Sequence, residues 1–238
     1  MSVLVISGTN TEIGKTVVTA SIAALARARG RSVVVLKPAQ TGVGPGEEGD
    51  AQAAVRLAGD GVAAVELARF PEPLAPATAA RRAGMTPVTP KDVADAAAKL
   101  ATEYDLVLVE GAGGLLVRLD SAGGTLADAA RLLDAPVLVV AAPALGTLNS
   151  VQLTGEALRA RGLTTQGVVI GCWPDAPGLA ERCNVVELAD MAGAPLLGAV
   201  PEGAGGLDSV RFRERARGWL APELGGSWDA GVFAASVG

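Results

Sequence analysis

Histidine is absent from the 238 residues. Unless a partner supplies one, that excludes histidine triads, histidine general bases and histidine-ligated zinc. Lysine is scarce. Lys15, Lys37, Lys91 and Lys99 are the only four, so arginines make up most of the 20 basic residues. With 25 acids the formal charge is -5, which gives the chain no overall electrostatic reason to seek nucleic acid. The two cysteines, Cys172 and Cys183, form no C-x-x-C pair and read as reduced thiols of a cytoplasmic protein. No apolar run is long enough to cross a bilayer; the one near 136–148 is broken by Pro143 and Gly146. The opening MSVLVISG lacks the basic start and long apolar segment of a signal peptide. The 31 glycines and 14 prolines follow no three-residue period, so collagen is excluded.

What remains is an apolar chain, 50% hydrophobic, able to bury a substantial core. Short β-branched runs alternate with longer alanine-rich ones. The pattern predicts strands over 3–7, 32–37, 65–70, 105–110, 137–141, 168–171 and 196–200, with a short one at 115–119. It predicts helices over 15–29, 50–57, 90–102, 125–132, 147–161, 179–191 and 210–220, and another ending before Gly84. Thr89 suits a helix cap with Pro90 at the first helical position. The tail after Pro222 is irregular, with Trp228 and Phe233 available to pack it. Several strand runs are apolar throughout, as strands covered on both faces are. The expected fold is α/β: one domain over 1–238, built on a mostly parallel open sheet with helices on both faces.

The first strand runs directly into 8-GTNTEIGKT-16. Glycines tolerate the backbone angles of an anion-binding loop, and the following helix adds its positive end. Lys15 supplies charge to the outer phosphates and Thr16 offers a hydroxyl to Mg2+. Five residues separate the first glycine from GKT, one more than the general motif has. There is no G-x-G-x-x-G, so a dinucleotide is disfavoured. Strand 105–110 would carry Glu110 to the same sheet edge, and Asp105 to the opposite one. Glu110 is therefore the preferred metal ligand. Asp50, after a glycine-rich stretch, is either a second ligand or a helix cap. Lys37, at the end of the second strand, either offsets charge on a transferring phosphoryl group or is an exposed strand-end lysine. Thr41 follows in the same loop and could hydrogen-bond phosphate or substrate.

These residues resemble a known family. The loop 8-GTNTEIGKT-16 with its unusual spacing, then 37-KPAQTG-42, 110-EGAGGLLV-117 and 145-LGTLNS-150 in that order, resemble dethiobiotin synthetases. The proline-rich 71-PEPLAP-76 is similar to that family's turn, and the likeness spans about residues 3–205. The resemblance implies a single-domain P-loop NTPase fold and an ATP- and Mg2+-dependent ligase. Its substrates would be 7,8-diaminononanoate (diaminopelargonate) and CO2. One amine captures CO2 as a carbamate, the carbamate oxygen attacks the γ-phosphate, and the second amine closes the ureido ring of dethiobiotin. The deprotonated amine is its own nucleophile, so the missing histidine is no obstacle.

By motif, the resemblance implies that Lys15 and Lys37 clamp phosphates while Thr16, Asp50 and Glu110 hold Mg2+. Thr11 would touch phosphate or diamine, and Glu12 the ribose or a substrate amine. Ile13, Gly14 and Val17 complete the nucleotide loop. Thr41 with Gly111, Ala112, Gly113 and Gly114 would line the carbamate and amine site. The resemblance also implies a homodimer with its active site at the interface. There, Leu145, Gly146, Thr147 and Asn149 of one chain receive the other chain's substrate, unless Thr147 and Asn149 only cap their helix. Neither nucleic acid nor membrane is an expected partner.

One departure stands out. Where the family has an asparagine reading adenine, this chain has 171-GCWPD-175. Gly171, Cys172 and Trp173, with Pro201, Glu202 and Gly203, are the expected base contacts. Trp173 either stacks on the base or is an ordinary packed aromatic. The missing amide motivates relaxed use of CTP or other triphosphates. Two rivals share the fold. A cobyrinate-type amide synthase would need a glutaminase domain with its cysteine and histidine. A partitioning-type ATPase would carry an early loop lysine where this chain has Thr9 and Asn10.

Overall fold

The computed structural model describes residues 2–237. β1 (Ser2–Gly8), β2 (Val33–Thr41), β3 (Val62–Phe70), β4 (Leu106–Gly114), β5 (Val137–Ala141), β6 (Thr165–Trp173) and β7 (Leu196–Pro201) form one sheet. Its order is β3-β2-β4-β1-β5-β6-β7, and all the strand pairings are parallel. Helices α1 (Lys15–Ala28), α2 (Asp50–Ala58), α3 (Pro76–Ala83), α4 (Pro90–Leu100) and α5 (Leu126–Leu133) come from the first half. α6 (Thr147–Arg159), α7 (Leu179–Ala192), α8 (Ser209–Ala216) and α9 (Ala230–Val237) complete the chain.

Strand order and crossover handedness together distribute the helices. The chain steps one way along the sheet through α1 and α2, then the other way through α4, α5, α6 and α7. Right-handed crossovers place these two groups on opposite faces. α8 returns to pack on α1 and α2. The central strands are covered on both sides: β5 is buried throughout, and so are Val5, Ile6, Leu36, Leu108 and Val109. α1 is buried from Val18 to Ala26, largely through small side chains such as Ala20, Ala23 and Ala24, which let it pack closely between the sheet, α2 and α8.

β1 leaves toward one face while its neighbours β4 and β5 leave toward the other. That switch point opens a crevice at the carboxyl ends of the strands. Two strands run further than the sequence predicts. β2 continues through Pro38 to Thr41, because its pairing with β4 stops at Leu36–Val109 and only β3 accompanies it beyond. With no ladder bond needed there, proline's missing N–H costs nothing. β4 continues through the glycines to Gly114, paired with Gly8 across an irregularity in β1. The strand expected at 115–119 is a turn, closed by an isolated bridge between Arg118 and Thr125.

Candidate active site

Where β2 and β4 part company, a cleft of about 670 Å3 opens between the loop after β1, the ends of β2 and β4, and the start of α2. The loop's geometry follows from its glycines. Gly14 precedes α1 with φ 88°, and a Cβ there would lie 2.0 Å from the Gly171 carbonyl oxygen. Only glycine fits that approach. Glu12 has φ 56°, a left-handed conformation that costs a non-glycine residue ~1–2 kcal/mol. Thr11, Glu12, Lys15 and Thr16 all line the cleft. Ile13 is buried beside Gly171, and Val17 lies against the turn at Gly205.

Lys15 and Lys37 are both buried, at 7% and 2% exposure, whereas Lys91 and Lys99 lie exposed on α4. Lys15 donates to the Asn10 carbonyl at 2.7 Å. Burial, with some help from the Lys37 charge, lowers its pKa to about 8. Lys37 is not an exposed strand-end lysine. It donates to Glu110 Oε1 at 3.0 Å, pairs with Asp50 Oδ2 at 2.5 Å and reaches the Gly111 carbonyl at 3.3 Å. Burial pushes the Lys37 ammonium down, but the two carboxylates outweigh it and the net shift is upward.

Glu110, at 0% exposure, also accepts from Thr16 Oγ1 at 2.9 Å. Its second oxygen, Oε2, has no hydrogen-bond partner. A buried carboxylate oxygen left unpaired is costly, and a hard cation would satisfy it. No group of three or more His, Cys, Asp or Glu gathers among the described residues. The oxygens at hand are those of Thr16, Asp50 and Glu110, and such a set would suit Mg2+, an ion that keeps water and phosphate oxygens among its ligands. Asp105 lies at the opposite sheet edge, bound to Ser32.

Thr41, Ala112 and Gly113 line the same cleft. Gly111 and Gly114, which flank Ala112 and Gly113 in β4, are not among the residues that line it. A Cβ on Gly111 would meet Leu126, and Gly114 pairs with Gly8. Gly171 to Trp173 and Pro201 to Gly203 also come together, since Trp173 pairs with Pro201 and accepts from the Glu202 N–H at 2.7 Å. Trp173 packs edge-on to Phe233 with ring centroids 5.1 Å apart, so the tail covers it. Cys172 is half-buried, and burial raises its thiol pKa. Leu145, Gly146, Thr147 and Asn149 do not line this chain's cleft. Leu145 is 88% exposed, while Thr147 is buried and donates to the Ala142 carbonyl.

Three features of the site escape sequence reasoning. The turn Pro73–Pro76 walls the cleft, although its proline content and likeness to the family's turn assign it no role in the site. Val117 joins it through the turn that replaces the expected strand. Gln40, inside the quoted motif 37–42, accepts the Asp50 N–H at 2.8 Å and so fixes the start of α2.

A family model described as an AAA domain matches residues 2–205. A relative from Streptomyces avermitilis, named ATP-dependent dethiobiotin synthetase BioD, is 67% identical over 236 residues, covering 99% of each chain. The chain belongs to the dethiobiotin synthetase family. Dethiobiotin synthetases of the same name from Streptomyces coelicolor and Corynebacterium kroppenstedtii are 66% and 46% identical, covering 98% and 95% of this chain and 98% and 97% of their own. Solved structures show the fold at lower identity. The cell division ATPase MinD of Pyrococcus furiosus superposes with a TM-score of 0.57 at 19% identity, covering 94% of this chain and 95% of its own. A ParA family ATPase from Chlorobium tepidum gives 0.57 at 15%, covering 94% of each. The dethiobiotin synthetase chain thus has the P-loop NTPase fold and is an ATP-dependent ligase of biotin biosynthesis.

Proposed function

We propose that the cleft joins 7,8-diaminononanoate and CO2 into dethiobiotin at the expense of ATP. Residues 1–238 act as one cytoplasmic catalytic domain. One substrate amine adds to CO2 and loses a proton, giving a carbamate. A carbamate oxygen attacks the γ-phosphorus, ADP leaves, and a carbamic-phosphoric anhydride remains. The second amine attacks the carbamate carbon, phosphate departs and the ureido ring closes. Lys15 and Lys37 bear on the phosphates, where a buried ammonium offsets the charge that develops as the phosphoryl group moves. Thr11 positions the phosphate or the diamine. Thr41 and the backbone of Gly111 to Gly114 orient the carbamate and amines. Thr16, Asp50 and Glu110 hold Mg2+, which supplies charge neutralisation on the phosphate oxygens.

One observation carries this reading: two buried lysines and a buried carboxylate with an unpaired oxygen converge on the phosphate loop. The chemistry needs no side-chain nucleophile, which agrees with the lack of histidine. The loop Leu145–Asn149 serves the partner of a homodimer. Its exposed leucine, and the absence of its residues from the lining of this chain's own cleft, support that arrangement.

Base selectivity rests on 171–173 and 201–203 with Glu12 toward the ribose or a substrate amine. No side-chain amide stands at 171–173, so CTP is expected to serve as well as ATP within ~10-fold in kcat/KM, about the discrimination that one neutral hydrogen bond of ~1 kcal/mol supplies. An overwhelming preference for ATP contradicts this. The primary test supplies diaminononanoate, bicarbonate, Mg2+ and ATP. Dethiobiotin and phosphate should appear together.

A further inference from the structure

Asp50 reaches the site from outside the sheet, at the end of a glycine-rich connection running from Gly42 to Gly49. Such a segment has no regular structure to hold it, and Asp50 itself is 39% exposed in its side chain. What holds it comes from the edge strand. In the β2–β3 register Lys37 stands opposite Glu66, and Gln40 stands opposite Arg69. Arg69 donates through Nη1 to the carbonyls of Gly44, at 2.9 Å, and Glu47, at 2.7 Å. Its other two nitrogens form a fork on Glu66, at 2.9 and 2.7 Å. The segment closes on itself where Gly44 N–H donates to Glu47 Oε2 at 2.7 Å. Gln40 then takes the Asp50 N–H. The fit is close: a Cβ on Gly49 would lie 2.5 Å from Glu66 Oε1 and 2.8 Å from Arg69 Nη2.

We propose that Arg69, oriented by Glu66, is a positioning residue that clamps the 42–49 segment so that Asp50 arrives beside Lys37 and Glu110 in register for the metal. A planar guanidinium can serve two carbonyls and one carboxylate at once; a lysine ammonium cannot do so in a fixed geometry. Outer partners of this kind typically govern metal affinity by ~10–100-fold. The inference rests on the reading of Asp50 as a metal ligand.

The test compares the full-length protein with Arg69→Met, Arg69→Lys and Asp50→Asn. In the metal-free protein, amide hydrogen exchange over 42–50 should accelerate ~10-fold in Arg69→Met while β1 and α1 keep their protection. With saturating nucleotide, the Mg2+ concentration for half-maximal rate should rise ~10-fold in Arg69→Met and less in Arg69→Lys, with turnover at saturating Mg2+ preserved within about twofold. Unchanged exchange over 42–50 overturns the clamp. So does an unchanged Mg2+ requirement in Arg69→Met when Asp50→Asn raises it. An unchanged requirement in Asp50→Asn overturns the ligand assignment instead, and the two failures are thereby told apart.

Discussion

Lys37 is an ammonium out of water between Glu110 and Asp50, and its removal leaves the buried Glu110 without a cation. Lys37→Ala should cut turnover by ~100-fold or more, the scale of losing one donor to a transition state. Circular dichroism should show the sheet intact, and near-normal turnover contradicts the assignment. Gly14 is the second decisive residue. A methyl group there has neither the backbone angle nor the space, so Gly14→Ala should weaken nucleotide binding by more than ~10-fold in equilibrium titration. At this scale the sequence was informative about identity and silent about neighbours. The glycine spacing and GKT point to phosphate, and counting along one strand puts Glu110, not Asp105, at the loop's edge of the sheet. Nothing in the sequence tells that Lys37 is buried or that Gln40 grips Asp50. Those facts depend on β2 passing through Pro38, which reads locally as a stop.

α4 begins with Thr89 and Asp92 bonded reciprocally as a capping box, away from the cleft. Thr89→Ala should cost ~1 kcal/mol. That lowers the melting temperature by ~2–4 °C for a chain this size, with kcat unchanged. Between elements, Asp105 ties β4 to the start of β2. Hydrogen bonds from the Ser32 N–H and hydroxyl hold its carboxyl below the usual range. A depressed carboxyl contributes stability above its unfolded value and loses it as pH falls through the folded one. Asp105→Asn should therefore flatten the loss of stability below pH ~4, read from denaturant midpoints across pH, without altering the profile above pH ~5. Element types were largely legible because their periods are clean. β5 lies at 137–141, as its β-branched run indicates. Ends were less legible where tertiary pairing overrides local signals. β4 runs on into glycines because Gly8 pairs with Gly114. The irregular tail becomes α9 because Phe233 finds Trp173 and Trp228.

The whole molecule is a parallel sheet whose switch point creates the cleft, and the fold class was readable from the alternation of strands and helices alone. The role of the Leu145–Asn149 loop was legible only through family resemblance, because its residues do not line this chain's cleft and their composition carries no chemistry of its own. If the active unit is the homodimer, specific activity should fall on dilution in step with dimer dissociation measured by light scattering. Leu145→Glu should shift both midpoints to higher concentration. Activity independent of assembly contradicts the shared site. The account as a whole is tested most directly by one incubation: purified protein with diaminononanoate, bicarbonate, Mg2+ and ATP, followed for dethiobiotin, ADP and phosphate, beside Lys37→Ala. Three products rising in equal amounts, and nearly abolished in the variant, are the expected result. ATP consumed without formation of the cyclic urea, or the same yield from the variant, would contradict it.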